Sequence, residues 1–171
     1  MITITRIPED FSDWPGLLAL IRTAFASMDG VIDPPSSAHR LTPESLAEKA
    51  RVEICHLALE DGIPVGCLFL KPEAPDCLYV GKLAVLPHLQ GKGVGRRLLQ
   101  AAEEEARRHN LSRLRLETRI ELVQNHATFS AWGFVRTAEK SHPGFDRITF
   151  IEMQKMLATP AEQRRPEAVN G

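Results

Sequence analysis

Val80-Gly81-Lys82-Leu83-Ala84-Val85-Leu86-Pro87-His88-Leu89-Gln90-Gly91-Lys92-Gly93-Val94-Gly95 is the stretch from which the rest of the chain is read. Cys77 to Leu86 is nearly continuously apolar, which predicts a strand buried on both faces near the centre of a sheet, ended by Pro87. From Gly91 to Asn110 the spacing of Val94, Leu98, Leu99, Ala102 and Ala106 predicts a long amphipathic helix, with Arg and Glu on its other face. Between the two lie glycines at 91, 93 and 95. A strand, a glycine-rich loop and a helix make an anion site. The first helical amides lack intrahelical acceptors, the helix dipole places partial positive charge there, and glycines admit close approach.

Phosphate-binding loops differ in spacing, which excludes one of them and leaves a second a weak match. A Walker loop needs Gly-Lys followed by Ser or Thr, but Leu83 follows Gly81-Lys82 and Gly93 follows Gly91-Lys92. A dinucleotide fingerprint needs G-x-G-x-x-G, whereas these glycines are two apart, and the strands do not alternate with helices in Rossmann order. What matches is Q/R-x-x-G-x-G/A, here Gln90 to Gly95. With Asn125-His126-Ala127-Thr128-Phe129-Ser130-Ala131-Trp132-Gly133-Phe134 further on, the chain resembles the GNAT superfamily of N-acetyltransferases. The two motifs occur in that family's order and together span Val80 to Phe134.

The elements around them agree with such a fold. Alternation over Met1 to Arg6 predicts a first strand, and Phe11 to Met28 a first helix capped by Ser12 or Asp13. Asp29 to Leu41, with Gly30, Pro34 and Pro35, reads as a loop that lies over a ligand or simply connects elements. Thr42-Pro43-Glu44-Ser45 opens a second helix. Glu53 to Glu60 and Ile63 to Lys71 form a hairpin across Asp61-Gly62. Arg113 to Thr118 predicts a fifth strand, Leu122 to Trp132 a short helix stopped by Gly133, and Phe134 to Ala138 and Asp146 to Met156 the last strands. The expected class is α/β of the α+β type: a mixed, mostly antiparallel sheet of six to seven strands flanked by about four helices. Residues 1–157 form one domain, and 158–171, rich in proline and arginine and poor in large apolar residues, form a mobile tail.

Composition narrows the surroundings. At 43% apolar and 25% charged residues the chain is an ordinary globular one, and a length of 171 suits one core rather than two. A formal net charge of -1 provides no general field for nucleic acid, and no stretch has the roughly 18 apolar residues that would cross a membrane. Cys55, Cys67 and Cys77 have neither zinc spacing nor an even count, so we expect buried thiols, no metal and a cytoplasmic location. His88, His126 and His142 lack ligand spacing and are expected to be solvated. The composition is compatible with a monomer or a homodimer.

The resemblance implies acetyl-CoA as co-substrate and an amine acceptor, either a small molecule or a peptide. It implies that Leu83, Ala84 and Val85 pair by backbone with the pantetheine arm, and that Gln90, Gly91, Lys92, Gly93, Val94, Gly95 and Arg96 wrap the pyrophosphate. Asn125 and Phe129 then flank the thioester. The physics agrees, because the arm's two amides suit a free strand edge and a pyrophosphate suits many backbone donors. Direct attack by an amine develops an oxyanion, for which the Leu83 amide is the candidate donor.

Many members of the family place an acid tyrosine four residues before the closing Gly-Phe, but here that position is Phe129. The acid is then Tyr79, the sole tyrosine, or water, or nothing, since a thiol of pKa about 8.5 leaves tolerably as thiolate. Neutralising a lysine-like amine at pH 7 costs roughly 4.6 kcal/mol and an α-amine about 1 kcal/mol. Glu117 and Tyr79 are the candidate bases, Tyr79 on the assumption that it shares a strand face with Gly81 and Leu83. A non-catalytic acyl-CoA sensor and a transferase for a longer acyl group are the rival functions.

Overall fold

The computed structural model describes residues 1–158; the expected mobile tail, apart from Ala158, lies outside the described residues. Seven strands and four α-helices follow one another as β1 (Ile2–Arg6), α1 (Trp14–Phe25), α2 (Pro43–Val52), β2 (Ile54–Glu60), β3 (Ile63–Glu73), β4 (Cys77–Val85), α3 (Val94–Arg108), β5 (Arg113–Arg119), α4 (Val123–Ala131), β6 (Val135–Lys140) and β7 (Phe150–Met156). They form one sheet ordered β1-β2-β3-β4-β5-β7-β6, antiparallel throughout except for the parallel pair β4 and β5. β4 is the middle strand, as its apolar run implies.

Local chemistry places the ends of the elements. Asp13 caps α1 by accepting from the Gly16 amide, and Thr42 and Ser45 exchange hydrogen bonds in a capping box at the start of α2. Asp61 and Gly62 both take positive φ, 50° and 81°, as a two-residue hairpin requires. Asn110 ends the helical segment in the left-handed region at φ 56°. α3 starts at Val94, three residues later than its periodicity implies, because Gly91 and Gly93 stand at φ 78° and 85° and cannot be helical.

Two cores sandwich the sheet. On one face α3 contributes Val94, Leu98, Leu99, Ala102 and Ala106 against Leu68, Leu70, Leu78, Val80, Leu114 and Met153. On the other, α1 and α2 contribute Leu17, Ile21 and Leu46 against Cys55, Leu57, Cys67, Phe69 and Ala84. Burial on both sides explains why β2 and β3 lack polar alternation. All three cysteines are buried free thiols; burial raises each thiol, Cys55 to about 12.

The feature that positions the site is where the sheet fails to close. β4 and β5 pair only over Cys77–Tyr79 and Arg113–Arg115, though both strands continue. Beside the split, β4 carries a bulge: Phe69 of β3 faces Gly81, Cys67 faces Ala84, and Lys82 takes φ 49°. An extra residue of this kind bends a strand and changes its parity. Leu83 and Val85 therefore pack with Val80 on the α3 face, while Ala84 joins the opposite core. The expectation that Tyr79, Gly81 and Leu83 share a face is wrong for Leu83, because period-2 counting assumes a strand without a bulge.

Candidate active site

Where β4 and β5 part, a cleft of about 470 Å³ opens. Its floor is Tyr79 to Leu83 of β4 and Leu116 to Arg119 of β5, with Asn125 and Phe129 of α4 at one side. Phe25 and Met28 from the end of the first helical segment, the 32–40 stretch, and His142 and Phe150 complete the wall. The loop at 29–41 thus lies over the cleft instead of merely linking helices. Arg119 ties it down, its guanidinium donating to the carbonyls of Pro34 at 2.6 Å and Pro35 at 3.2 Å.

At the split the two candidate bases prove to be one couple. The Tyr79 hydroxyl donates to Glu117 Oε1 at 3.4 Å, and Arg115 stacks over the Tyr79 ring with its guanidinium carbon 4.5 Å from the centroid. Glu117 Oε2 lies 3.4 Å from Arg115 Nη1, and Arg115 also meets Glu73 and Glu152. Burial, then the charge of Glu117, pushes the Tyr79 phenol up to about 12. At pH 7 the phenol keeps its proton, and losing it would cost about 7 kcal/mol. Tyr79 can donate a proton or a hydrogen bond here; Glu117 can accept one.

The glycine loop has the features of an anion cradle. α1 and α2 have side-chain caps, whereas α3 has none: Gly93 is its N-cap. Nothing lies within 4 Å of a Cβ built at Gly91 or Gly93, so this backbone faces open space. Lys92 and Arg96 are exposed beside it. The Gln90 amide donates to the Val85 carbonyl at 2.9 Å, pinning the loop to the end of β4. Val94 is buried, leaving only its backbone to face outward. At Gly95 a Cβ would instead meet Trp132 Cη2 at 3.4 Å, an ordinary contact, so the start of α3 lies under the indole.

Other expected positions turn out differently. Arg97, one position beyond the expected pyrophosphate loop, donates to the Ile2 carbonyl at 2.7 Å and ties α3 to β1. His126 is bonded to the Arg119 carbonyl at 2.9 Å, which fixes α4 to the end of β5, and only His88 is exposed as expected. His142 is half-buried, with Nδ1 2.5 Å from Thr149 Oγ1 and its ring 4.9 Å from that of Phe150. Burial, then the charge of Arg119, lowers its pKa. Sequence reasoning passed over Lys82, whose ammonium reaches Ser37 Oγ at 2.6 Å. The single signal was its place beside Gly81, and the bulge that turns it was not visible. Among the described residues no three His, Cys, Asp or Glu side chains are grouped to hold a metal ion.

The cleft thus joins a split central sheet to an uncapped helix N-terminus at one end of the split and the Tyr79–Glu117 couple at the other. The comparisons give the family. The model of the acetyltransferase (GNAT) family matches residues 17–134, more than half of the chain, and the chain belongs to that family. The chemistry of the family is acyl-CoA-dependent N-acetylation.

Solved structures share the fold. The ribosomal-protein-S18-alanine N-acetyltransferase of Escherichia coli superposes with a TM-score of 0.71 at 18% identity, over 100% of both chains. PaiA N-acetyltransferase of Thermoplasma acidophilum, in complex with coenzyme A, gives 0.72 at 19% identity, over 91% of this chain and 99% of the other. A GNAT family acetyltransferase of Elizabethkingia anophelis with acetyl-CoA bound gives 0.66 at 18% identity, over 91% and 98%. Among the described residues no helix is long and apolar enough to cross a membrane.

Proposed function

We propose that the chain transfers an acetyl group from acetyl-CoA to a primary amine of a small molecule or peptide by direct attack, with Glu117 as base and Tyr79 as proton donor. The observation that carries this is the parting of β4 and β5 immediately after Tyr79, which leaves a strand edge open between the α3 N-terminus and the Tyr79–Glu117 couple. When bound, acetyl-CoA supplies a thioester carbonyl. The remaining steps belong to the residues of the chain.

The amides at Gly91 to Arg96 hold the pyrophosphate, with Lys92 and Arg96 adding charge; the uncapped α3 and the two glycines facing open space support this. The backbone of Leu83, Ala84 and Val85 binds the pantetheine amides along the edge that β5 leaves free, the Val85 carbonyl being already shared with Gln90. Asn125 and Phe129 flank the acyl end, since both line the cleft beside Leu83. The Leu83 amide donates to the developing oxyanion.

Glu117 removes a proton from the amine as the C–N bond forms and the C–S bond breaks. The thiolate takes a proton from Tyr79 or from water. The raised phenol pKa excludes Tyr79 as the base at pH 7, which supports giving that role to Glu117. An α-amine is the easier acceptor, needing about 1 kcal/mol to become neutral at pH 7. We place the reaction in the cytoplasm, where free buried thiols persist.

The test is release of free thiol from acetyl-CoA with a panel of primary amines, repeated with propionyl- and longer acyl-CoA. Amine-dependent thiol release with acetyl-CoA is expected. Binding of acetyl-CoA without turnover of any amine would make the protein a sensor, and faster turnover of a longer donor would change the acyl group.

A further inference from the structure

The cleft carries more positive charge than acetyl transfer needs. Lys82, Arg40 and Arg119 line it, against Glu117 as the one carboxylate of its lining residues, and the Glu117 oxygens already face Tyr79 and Arg115. The cations bond to neutral groups: Lys82 to the Ser37 hydroxyl, Arg119 to the Pro34 and Pro35 carbonyls. The acids nearest Arg119 have other partners, Asp33 Oδ2 with Arg147 and Glu121 Oε2 with the Asp33 amide, while Glu121 Oε1 is buried without a hydrogen-bond partner. Burial, then Lys49, Arg40 and Arg119, holds the Lys82 ammonium below the ordinary lysine range, with Glu53 opposing. Lys82 also sits at φ 49°, where a lysine is strained. A strained bulge thus brings a cation into a half-buried cleft among other cations, with no carboxylate of the described residues in ion-pair contact with it and Glu53 already paired with Lys49. Such an arrangement suits a ligand that brings the missing negative charge.

The geometry points to an acceptor that bears a carboxylate as well as its amine, the carboxylate pairing with Lys82 and Arg40 beneath the 29–41 loop while the amine lies toward Glu117. This rests on the acetyl-transfer reading above and names its substrate class. The carboxylate could be that of a free amino acid or an acidic side chain near a peptide N-terminus; both present the same chemistry.

Matched acceptors test it: alanine against alaninamide, and amidated Asp-Ala-Ala against Asn-Ala-Ala, with wild type, Lys82→Met, Lys82→Arg and Arg40→Met. The quantity read is the kcat/KM ratio within each pair, compared between variants so that the different amine pKa values cancel. A charge-assisted hydrogen bond in a half-buried site corresponds to roughly tenfold to hundredfold. The expected result is a ratio in one pair that falls at least tenfold in Lys82→Met, falls in Arg40→Met, and is largely kept in Lys82→Arg. The pair that shows it tells amino acid from peptide. A ratio unchanged by both methionine variants overturns the proposal, whatever their overall activity.

Calorimetry with N-acetylalanine and N-acetylalaninamide in the presence of CoA needs no turnover. At least tenfold tighter binding of the acid, lost in Lys82→Met, supports the proposal even if no acceptor in the panel is acetylated. Equal binding of the two, together with no preference in the kinetic pairs, refutes it. Absence of both acetyl transfer and acetyl-CoA binding instead refutes the enzyme reading.

Discussion

Replacing Glu117 by glutamine tests the assignment of the base with little change of shape. The amide keeps an oxygen for the Tyr79 hydroxyl, which lies 3.4 Å from Glu117 Oε1, but it cannot take a proton. General-base catalysis contributes typically 10²–10⁴-fold, so kcat/KM at pH 7 should fall by roughly that factor. The pH profile separates this step from ionisation of the acceptor. An amine of pKa about 8 is a tenth neutral at pH 7 and mostly neutral at pH 9, so the rates of both enzymes should rise about tenfold across that interval while their ratio holds. Thiol release with a saturating donor, measured from pH 6.5 to 9.5 in wild type, Glu117→Gln and Tyr79→Phe, reads all of this. Tyr79→Phe should cost less than Glu117→Gln at pH 7, because a phenol raised to about 12 cannot serve as base there. A Glu117→Gln enzyme within twofold of wild type at pH 7, or a Tyr79→Phe defect larger than that of Glu117→Gln, would refute the assignment.

Further consequences can be measured. Phe129→Tyr restores the phenol at the motif position; if the thiolate leaves without needing that acid, kcat should change less than about threefold, which a single saturation curve checks. Gly95→Ala places a Cβ at ordinary contact, 3.4 Å from Trp132, and gains helix propensity, so the free protein should be unchanged or up to about 1 kcal/mol more stable, read from its Tm. His56 is buried 3.5 Å from Glu105, yet desolvation outweighs that carboxylate and lowers its pKa. The unfolded chain then binds a proton near pH 6.5 that the folded chain takes up at lower pH. Stability should therefore fall as pH drops from 7 to 5, and the fall should lessen in His56→Leu, as thermal melts across that range would show.

Much of the fold is legible from local chemistry. The Thr42 box, the Asp61-Gly62 turn and the apolar stripe of α3 depend on neighbours a few residues away, and each stands where its pattern puts it. The bulge at Lys82 depends instead on how β3 and β4 are in register, which no single strand encodes, and with it went the face of Leu83. The couple of Tyr79 and Glu117 is separated by 38 residues, so each could be suspected from its type but not joined to the other. The same holds for the cations of the cleft, which come from the 29–41 loop, β4 and β5. His142 was expected in solvent because it has no ligand spacing, whereas Thr149 and Phe150, seven and eight residues further on, hold its ring.

The proposed function requires the main chain at Gly91 to Gly95 to hold a diphosphate. Thermal melting of wild type and Gly93→Asp with acetyl-CoA tests it most directly. At a hundredfold excess over Kd the ligand should add about 2.7 kcal/mol, or roughly 5 to 11 °C at this size. Gly93→Asp, which tolerates φ 85° poorly and sets a negative charge at the uncapped start of α3, should melt a little lower alone and show no shift. An upward shift of equal size in both proteins would contradict the account.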